Sequence, residues 1–298
     1  MDRFGHNPGA WGAALCAILI AGCARIEPER PALGALGRVE ALCAIGPRES
    51  GSIGAAEAAA WIARELDAAG LFPVTDVFTE TTAAGVKSFR NVTATIPCAA
   101  KKHILLLSHY DTKSGVGEGF AGANDGGSST GLLLALARWF RDNPPESAAL
   151  TFAFLDGEEC ADEYGPHDGL HGSRRLAAQM KGARTRIDAA ILLDMVGDAD
   201  LSLTIPSNSD PRLVATLMQS AERLGARDRV RRKPEEMLDD HQPFLDLGYP
   251  AIDIIDFEYG SAPGLNDYWH TTEDTPDKLS DATLDTVGAL VIDMVKNL

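Results

Sequence analysis

The 298-residue chain is short of positive charge: 27 lysines and arginines stand against 43 aspartates and glutamates, for a formal net charge of −16. No basic stripe interrupts that balance, so the chain repels phosphate backbones and nucleic acid is excluded as a partner. Cysteine is also scarce, at five. Setting aside Cys16 and Cys23 in the N-terminal apolar region leaves Cys43, Cys98 and Cys160. An odd three allows at most one internal disulfide and selects no pair. A chain this long buries enough apolar surface to need no disulfide scaffold. Repeats and low-complexity blocks are absent after residue 31. With 45% hydrophobic and 23% charged residues, collagen, coiled coil and wholesale disorder are excluded too. No GK[ST] follows Gly126-Gly127, so that pair points to a tight backbone rather than a phosphate loop.

The N-terminus carries an apolar run, Ala10 to Ala21 (AWGAALCAILIA), too short to span a bilayer comfortably and suited to a signal-peptide core. It ends in Ile20-Ala21-Gly22-Cys23, which resembles the bacterial lipobox, where Cys23 would be lipidated and become the mature N-terminus. The alternatives are an ordinary signal peptide and a cytosolic chain with an apolar leading helix. The expected organisation is a signal peptide over 1–23, a tether over 24–34 and one catalytic domain over 35–298. The protein is then exported, periplasmic, monomeric, and attached to a membrane only through its anchor.

Hydrophobic periodicity predicts helices over Ala55–Ala69, Gly131–Phe140, Gly172–Met180, Pro211–Leu224 and Ser280–Val295, with Ser280 as a cap. Strand-like pieces lie at Phe72–Phe78 and Phe89–Ile96. The short wholly apolar runs His103–Leu107, Ala149–Leu155, Ala189–Leu193 and Ala251–Ile255 read as strands buried on both faces. Buried strands alternating with helices predict a single three-layer α/β domain, a mostly parallel mixed sheet with helices on both faces.

Three of these strands run directly into chemistry. His103–Leu107 leads to Ser108-His109-Tyr110-Asp111, Ala149–Leu155 to Asp156-Gly157-Glu158-Glu159, and Ala189–Leu193 to Asp194. Strand ends of an open α/β sheet face a shared crevice, so these groups should converge. Asp125, in Gly122-Ala123-Asn124-Asp125-Gly126-Gly127, and His270, in Tyr268-Trp269-His270-Thr271, complete the candidate set. Taken singly, each histidine reads as a satisfied polar residue and each acidic pair as solvated. Together they form a nitrogen–oxygen donor set that suits zinc. Glu158 and Glu159 are neighbours at a strand end, so one can bind metal while the other carries protons. The basic run Arg227–Lys233 reads as a solvated loop, His241 as a hydrogen-bonding residue, and Cys160 as a small buried hydrophobe.

The ordered set His109-x-Asp111, Asp125, Glu158-Glu159, Asp194 and His270 resembles the zinc aminopeptidase superfamily, whose members include the glutaminyl cyclases, over about residues 35–298. In the aminopeptidases the resemblance implies two zinc ions: Asp125 bridging, Glu159 and His270 on one, His109 and Asp194 on the other, with Glu158 as general base. In the cyclases it implies one zinc on Asp125, Glu159 and His270, with Glu158, Asp194 and Asp239 catalytic and Trp269 walling the substrate pocket. Asp239-Asp240-His241-Gln242-Pro243-Phe244-Leu245 looks like the cyclases, where aminopeptidases commonly have Ser-Asp-His. Gly165-Pro166-His167-Asp168, Gly172-Ser173-Arg174-Arg175-Leu176 and Lys113 match as well. Leu238, Tyr164 and Leu265 depart from the Gln, Trp and Phe of animal cyclases. The resemblance implies cyclisation of N-terminal glutamine on peptides, with aminopeptidase activity on the same scaffold as the alternative.

Overall fold

The computed structural model describes Met1, Asp2, Gly5 and residues 31–298. The apolar run, Cys16 and Cys23 lie outside the described residues. Helix α1 (Leu36–Cys43) is followed by α2 (Ile53–Ala68), started by Ser52, whose Oγ accepts the Ala55 N–H over 3.0 Å. Gly70, at φ +78°, ends that segment in the left-handed region that glycine tolerates. A hairpin, β1 (Val74–Thr82) and β2 (Gly85–Ile96), leads to β3 (Lys102–His109), α3 (Ser129–Asp142) and β4 (Ala148–Leu155). After these come α4 (His171–Gly182), β5 (Ala189–Asp194), β6 (Leu203–Ile205) and α5 (Pro211–Arg223). The chain closes with β7 (Val230–Arg232), α6 (Gln242–Asp246), β8 (Ala251–Ile255) and α7 (Asp281–Asn297).

The main sheet runs β1-β2-β4-β3-β5-β8. β1/β2 and β2/β4 are antiparallel, and β3/β4, β3/β5 and β5/β8 are parallel. Alternate residues of β3 go to opposite faces. Ile104 and Leu106 join the core built with α1, α2, α3, α5 and α7, whereas Leu105 and Leu107 join the one under α4 and α6. Both faces are covered, which is why the strand reads as an unbroken apolar run. Each such side chain contributes roughly 1.5–3 kcal/mol on burial. Among the described residues no helix is long and apolar enough to cross a membrane.

Several local expectations change. The first strand begins at Val74, leaving Phe72 outside it and exposed. Ser280 makes no side-chain capping bond; its carbonyl accepts the Leu284 N–H instead. Residues 227–233 are not a solvated loop, because a short helical turn there leads into β7, which pairs in parallel with β6 and buries Val230. Leu33, in the stretch read as a tether, is tied to α7 by its N–H to Asp285 Oδ1 at 2.8 Å. Among the described residues Cys43, Cys98 and Cys160 form no disulfide with one another.

Candidate metal centre

The carboxyl ends of β3, β4 and β5 deliver His109, Glu158 with Glu159, and Asp194 to one crevice. Asp125 enters on a kinked loop, Ala123–Ser128, with Asp125 and Gly126 outside helical geometry. Gly126 has φ +71°, and a side-chain carbon there would lie 2.8 Å from the Asp111 carbonyl oxygen and 2.9 Å from the His109 ring. Only glycine fits this approach. His270 takes φ +55° and Met195, just after Asp194, φ +49°. Such left-handed non-glycine residues cost about 1–3 kcal/mol each and gather at functional sites.

Asp125 stands between the two histidines. Its Oδ1 is 3.2 Å from His109 Nε2 and its Oδ2 3.2 Å from His270 Nε2. His109 Nε2 also meets Asp194 Oδ1 at 3.1 Å, and His270 Nε2 meets Glu159 Oε1 at 3.0 Å. Two donor clusters therefore share Asp125: His109–Asp125–Asp194 and Asp125–Glu159–His270, each with donor atoms within 4.8 Å of one another. The residues fit zinc: the donors are imidazole and carboxylate, and among the described residues Glu159 Oε2 is buried with no hydrogen-bond partner, Lys113 Nζ lying 3.7 Å away.

The electrostatics point the same way. Burial pushes the Glu159 carboxyl up to about 7, and the charge of Asp125 adds to this. Against burial, Asp125 and Glu159 draw the His270 imidazole up to about 9, and Asp111, Asp125 and Asp194 draw His109 well above its usual value. A divalent cation satisfies the same carboxylates while leaving both imidazoles neutral as ligands.

Glu158 sits beside this centre with its carboxyl held well above the usual range, by burial first and then by Glu159. Asp239 is raised likewise, by burial and then by Asp253 and Asp194. Trp269 stacks on the His270 ring, with centroids 3.9 Å apart, and packs edge-on against Phe257. Cys160 is buried, as expected, with its sulfur 3.3 Å from Lys113 Nζ. His241 differs from expectation: it is fully buried, neither ring nitrogen has a partner among the described residues, and burial lowers its pKa to about 4.

Two supporting residues escape the sequence reading. Arg48 is wholly buried and donates to the carbonyls of Tyr110, Ala121 and Gly122 at 2.8, 2.8 and 3.0 Å, lacing the His109 loop to the Asp125 loop. Asp274 accepts the backbone N–H groups of Asn124 and Asp125 and the hydroxyl of Tyr259. Arg48 carries no signal in its own neighbourhood. Asp274 does carry one, lying four residues after His270. Asp111, part of the recognised pattern, proves to be a brace, accepting the N–H groups of Glu158 and Glu159, each at 3.2 Å.

A histidine–carboxylate donor set at the strand ends of a mixed α/β sheet, with Glu158 beside it and outside both donor clusters, is the arrangement of the zinc exopeptidase class. The chain belongs to peptidase family M28, which residues 91–295 match. It is 30% identical to the glutaminyl-peptide cyclotransferase of Boiga dendrophila, over 75% of this chain and 69% of that one. The solved glutaminyl cyclase of an Acidobacteriales bacterium is similar at 36% identity with a TM-score of 0.84, over 92% of this chain and 97% of that one. A Zn-dependent exopeptidase from Parabacteroides distasonis superposes with a TM-score of 0.80 at 25% identity, over 91% of this chain and all of that one (100%).

Proposed function

We propose that the protein is a zinc-dependent glutaminyl-peptide cyclotransferase that converts N-terminal glutamine of peptides to pyroglutamate and releases ammonia. The observation that carries this reading is Asp239, a buried carboxyl whose charge is felt by Glu158, at a point where the aminopeptidase pattern has serine. Asp125, Glu159 and His270 would hold one zinc. When bound, zinc supplies Lewis-acid polarisation of a carbonyl. The substrate's own α-amine is the nucleophile, tethered so that ring closure needs no second molecule. Glu158 takes a proton from that amine as the new C–N bond forms and returns it to the amide nitrogen as the old C–N bond breaks, so that ammonia leaves. Asp194 and Asp239 hydrogen-bond the departing nitrogen, and Trp269 walls the glutamine side chain.

The intact His109–Asp125–Asp194 cluster supports a second reading, an aminopeptidase with two metal ions. One experiment separates them. A zinc-loaded preparation is given a glutaminyl peptide and a leucyl peptide, and ammonia release is compared with leucine release. Ammonia without leucine supports the cyclase; leucine release rejects it.

The apolar run and Ile20-Ala21-Gly22-Cys23 support export to the periplasm and a lipid anchor at Cys23. Membrane fractionation of a Cys23→Ser variant tests this, with loss from the membrane fraction as the expected result.

A further inference from the structure

Asp125 and His270 come from loops far apart in the sequence, and both stand on irregular backbone. Asp125 sits where helical geometry breaks, beside Gly126 at φ +71°, and His270 takes φ +55°. Buried amides in such a break need acceptors from elsewhere. Asp274 provides them: its Oδ1 accepts the Asn124 N–H at 2.7 Å and its Oδ2 the Asp125 N–H at 3.2 Å. Its own carbonyl accepts the Ala123 N–H at 3.4 Å.

The same residue closes the turn that carries His270. Its N–H donates to the Thr271 carbonyl at 3.1 Å, and Thr271 donates its N–H and hydroxyl to the Tyr268 carbonyl at 3.2 and 2.7 Å. Tyr259 completes the assembly. Its hydroxyl donates to Asp274 Oδ1 at 3.0 Å, its carbonyl accepts the Tyr268 N–H at 3.3 Å, and its ring packs edge-on against Tyr268. Asp274 and Tyr259 are both fully buried, which keeps bulk water from these bonds.

We propose that Asp274, held by Tyr259, is a positioning residue for the metal centre. By fastening the Asp125 loop to the His270 turn, it fixes the 3.2 Å approach of Asp125 Oδ2 to His270 Nε2 and thereby sets how tightly zinc is held. A carboxylate is required because three donors converge on it. An asparagine amide has one acceptor oxygen, and its NH2 would face a donor. Asp274 belongs to neither donor cluster, so it acts on zinc only through the ligands it places. This inference rests on the reading that Asp125, Glu159 and His270 hold zinc, and not on which reaction the centre performs.

The test is zinc affinity, read by competition with a chromogenic chelator. Wild type, Asp274→Asn, Tyr259→Phe and His270→Ala are compared, each checked for folding by circular dichroism in metal-free form. Asp274→Asn should weaken zinc binding about ten- to a hundredfold, the usual effect of removing a group that orients a metal ligand. Tyr259→Phe keeps the ring and the backbone bonds, so it should weaken zinc binding severalfold, and it carries the test if the asparagine variant does not fold. A merely structural role would lower the urea midpoint of the metal-free protein and leave the zinc dissociation constant of the folded protein unchanged. Wild-type zinc affinity in folded Asp274→Asn, or in Tyr259→Phe where the asparagine variant is unfolded, overturns the proposal. Zinc held as tightly by His270→Ala as by the wild type would instead reject the donor set on which the proposal stands.

Discussion

Tyr164 donates its phenolic hydrogen to Oε1 of Glu158 over 2.7 Å. Space for the ring is made at Gly169, where a side-chain carbon would lie 2.5 Å from Tyr164 Cδ1. The hydroxyl ties down one oxygen of the proposed proton carrier and so limits the carboxylate to a narrow set of orientations. A position where animal cyclases have tryptophan thus acquires a direct polar hold on the base.

Removing that hold tests it. Tyr164→Phe deletes one hydrogen bond, worth about 0.5–1.5 kcal/mol, without changing the ring. We expect kcat to fall severalfold with zinc content unchanged and KM little affected. An unaltered kcat would show that Glu158 is positioned by other contacts.

Glu158→Gln keeps the shape of the side chain and removes its proton chemistry. Zinc should stay bound, because Glu158 belongs to neither donor cluster. Turnover should fall about a hundredfold or more, the range of a positioned acid–base group. Near-normal turnover in a folded, zinc-loaded variant would reject the role.

Zinc stoichiometry discriminates between the two readings of the donor clusters. Elemental analysis should give close to one ion per chain, lost in Asp125→Ala and His270→Ala and largely kept in His109→Ala. Two tightly held ions, the second lost with His109 or Asp194, would favour the aminopeptidase.

Much of this centre was legible in the sequence, for a physical reason. Strands buried on both faces announce themselves as apolar runs, and the first polar residues after them must emerge at one edge of the sheet. His109, Glu158, Glu159 and Asp194 were found in that way. Arg48 was not, because three of its four backbone acceptors, the carbonyls of Tyr110, Ala121 and Gly122, come from loops that reach it only in the fold. His241 reads as a hydrogen-bonding residue because the metal already has enough donors without it, whereas among the described residues both its buried nitrogens lack partners. The turn and strand at 227–233 were masked by arginines, whose charges point outward while Val230 alone packs inward.

Asp256 gives a pH dependence remote from the centre. Burial raises its carboxyl to about 6, although the Ser202 and Glu258 N–H groups oppose this, and Asp198 and Glu258 add like charge. An unfolded aspartate titrates near 3.9. Between these values the native state holds a proton that the unfolded state has lost, so this group's contribution to stability falls as pH rises. Asp256→Asn cannot titrate. Urea unfolding of metal-free protein should show the variant gaining on the wild type from pH 4 to 7, by up to about 3 kcal/mol for a two-unit shift. A difference that stays flat across this range would refute the assignment.

The choice of reaction turns on Asp239. One of its oxygens already accepts the Asp240 N–H at 2.6 Å, so the residue is anchored through Oδ1. Its carboxyl is held well above the usual range by burial and by Asp253 and Asp194, and it adds like charge at Glu158. Crowded buried carboxyls share protons as a group, so one of them stays protonated and able to donate near neutrality. Asp239→Asn preserves size and can keep the bond from Asp240, but it cannot exchange a proton. Asp239→Ser shortens the side chain and opens space for water. Neither change touches a donor of the two clusters, so folding and zinc binding should persist. Both variants should cyclise glutamine far more slowly, the serine variant somewhat more so than the asparagine. Cyclisation rate, zinc content and circular dichroism are measured together on each. If either folded, zinc-loaded variant matches the wild-type rate, Asp239 is a structural residue and the principal ground for cyclase over aminopeptidase is lost.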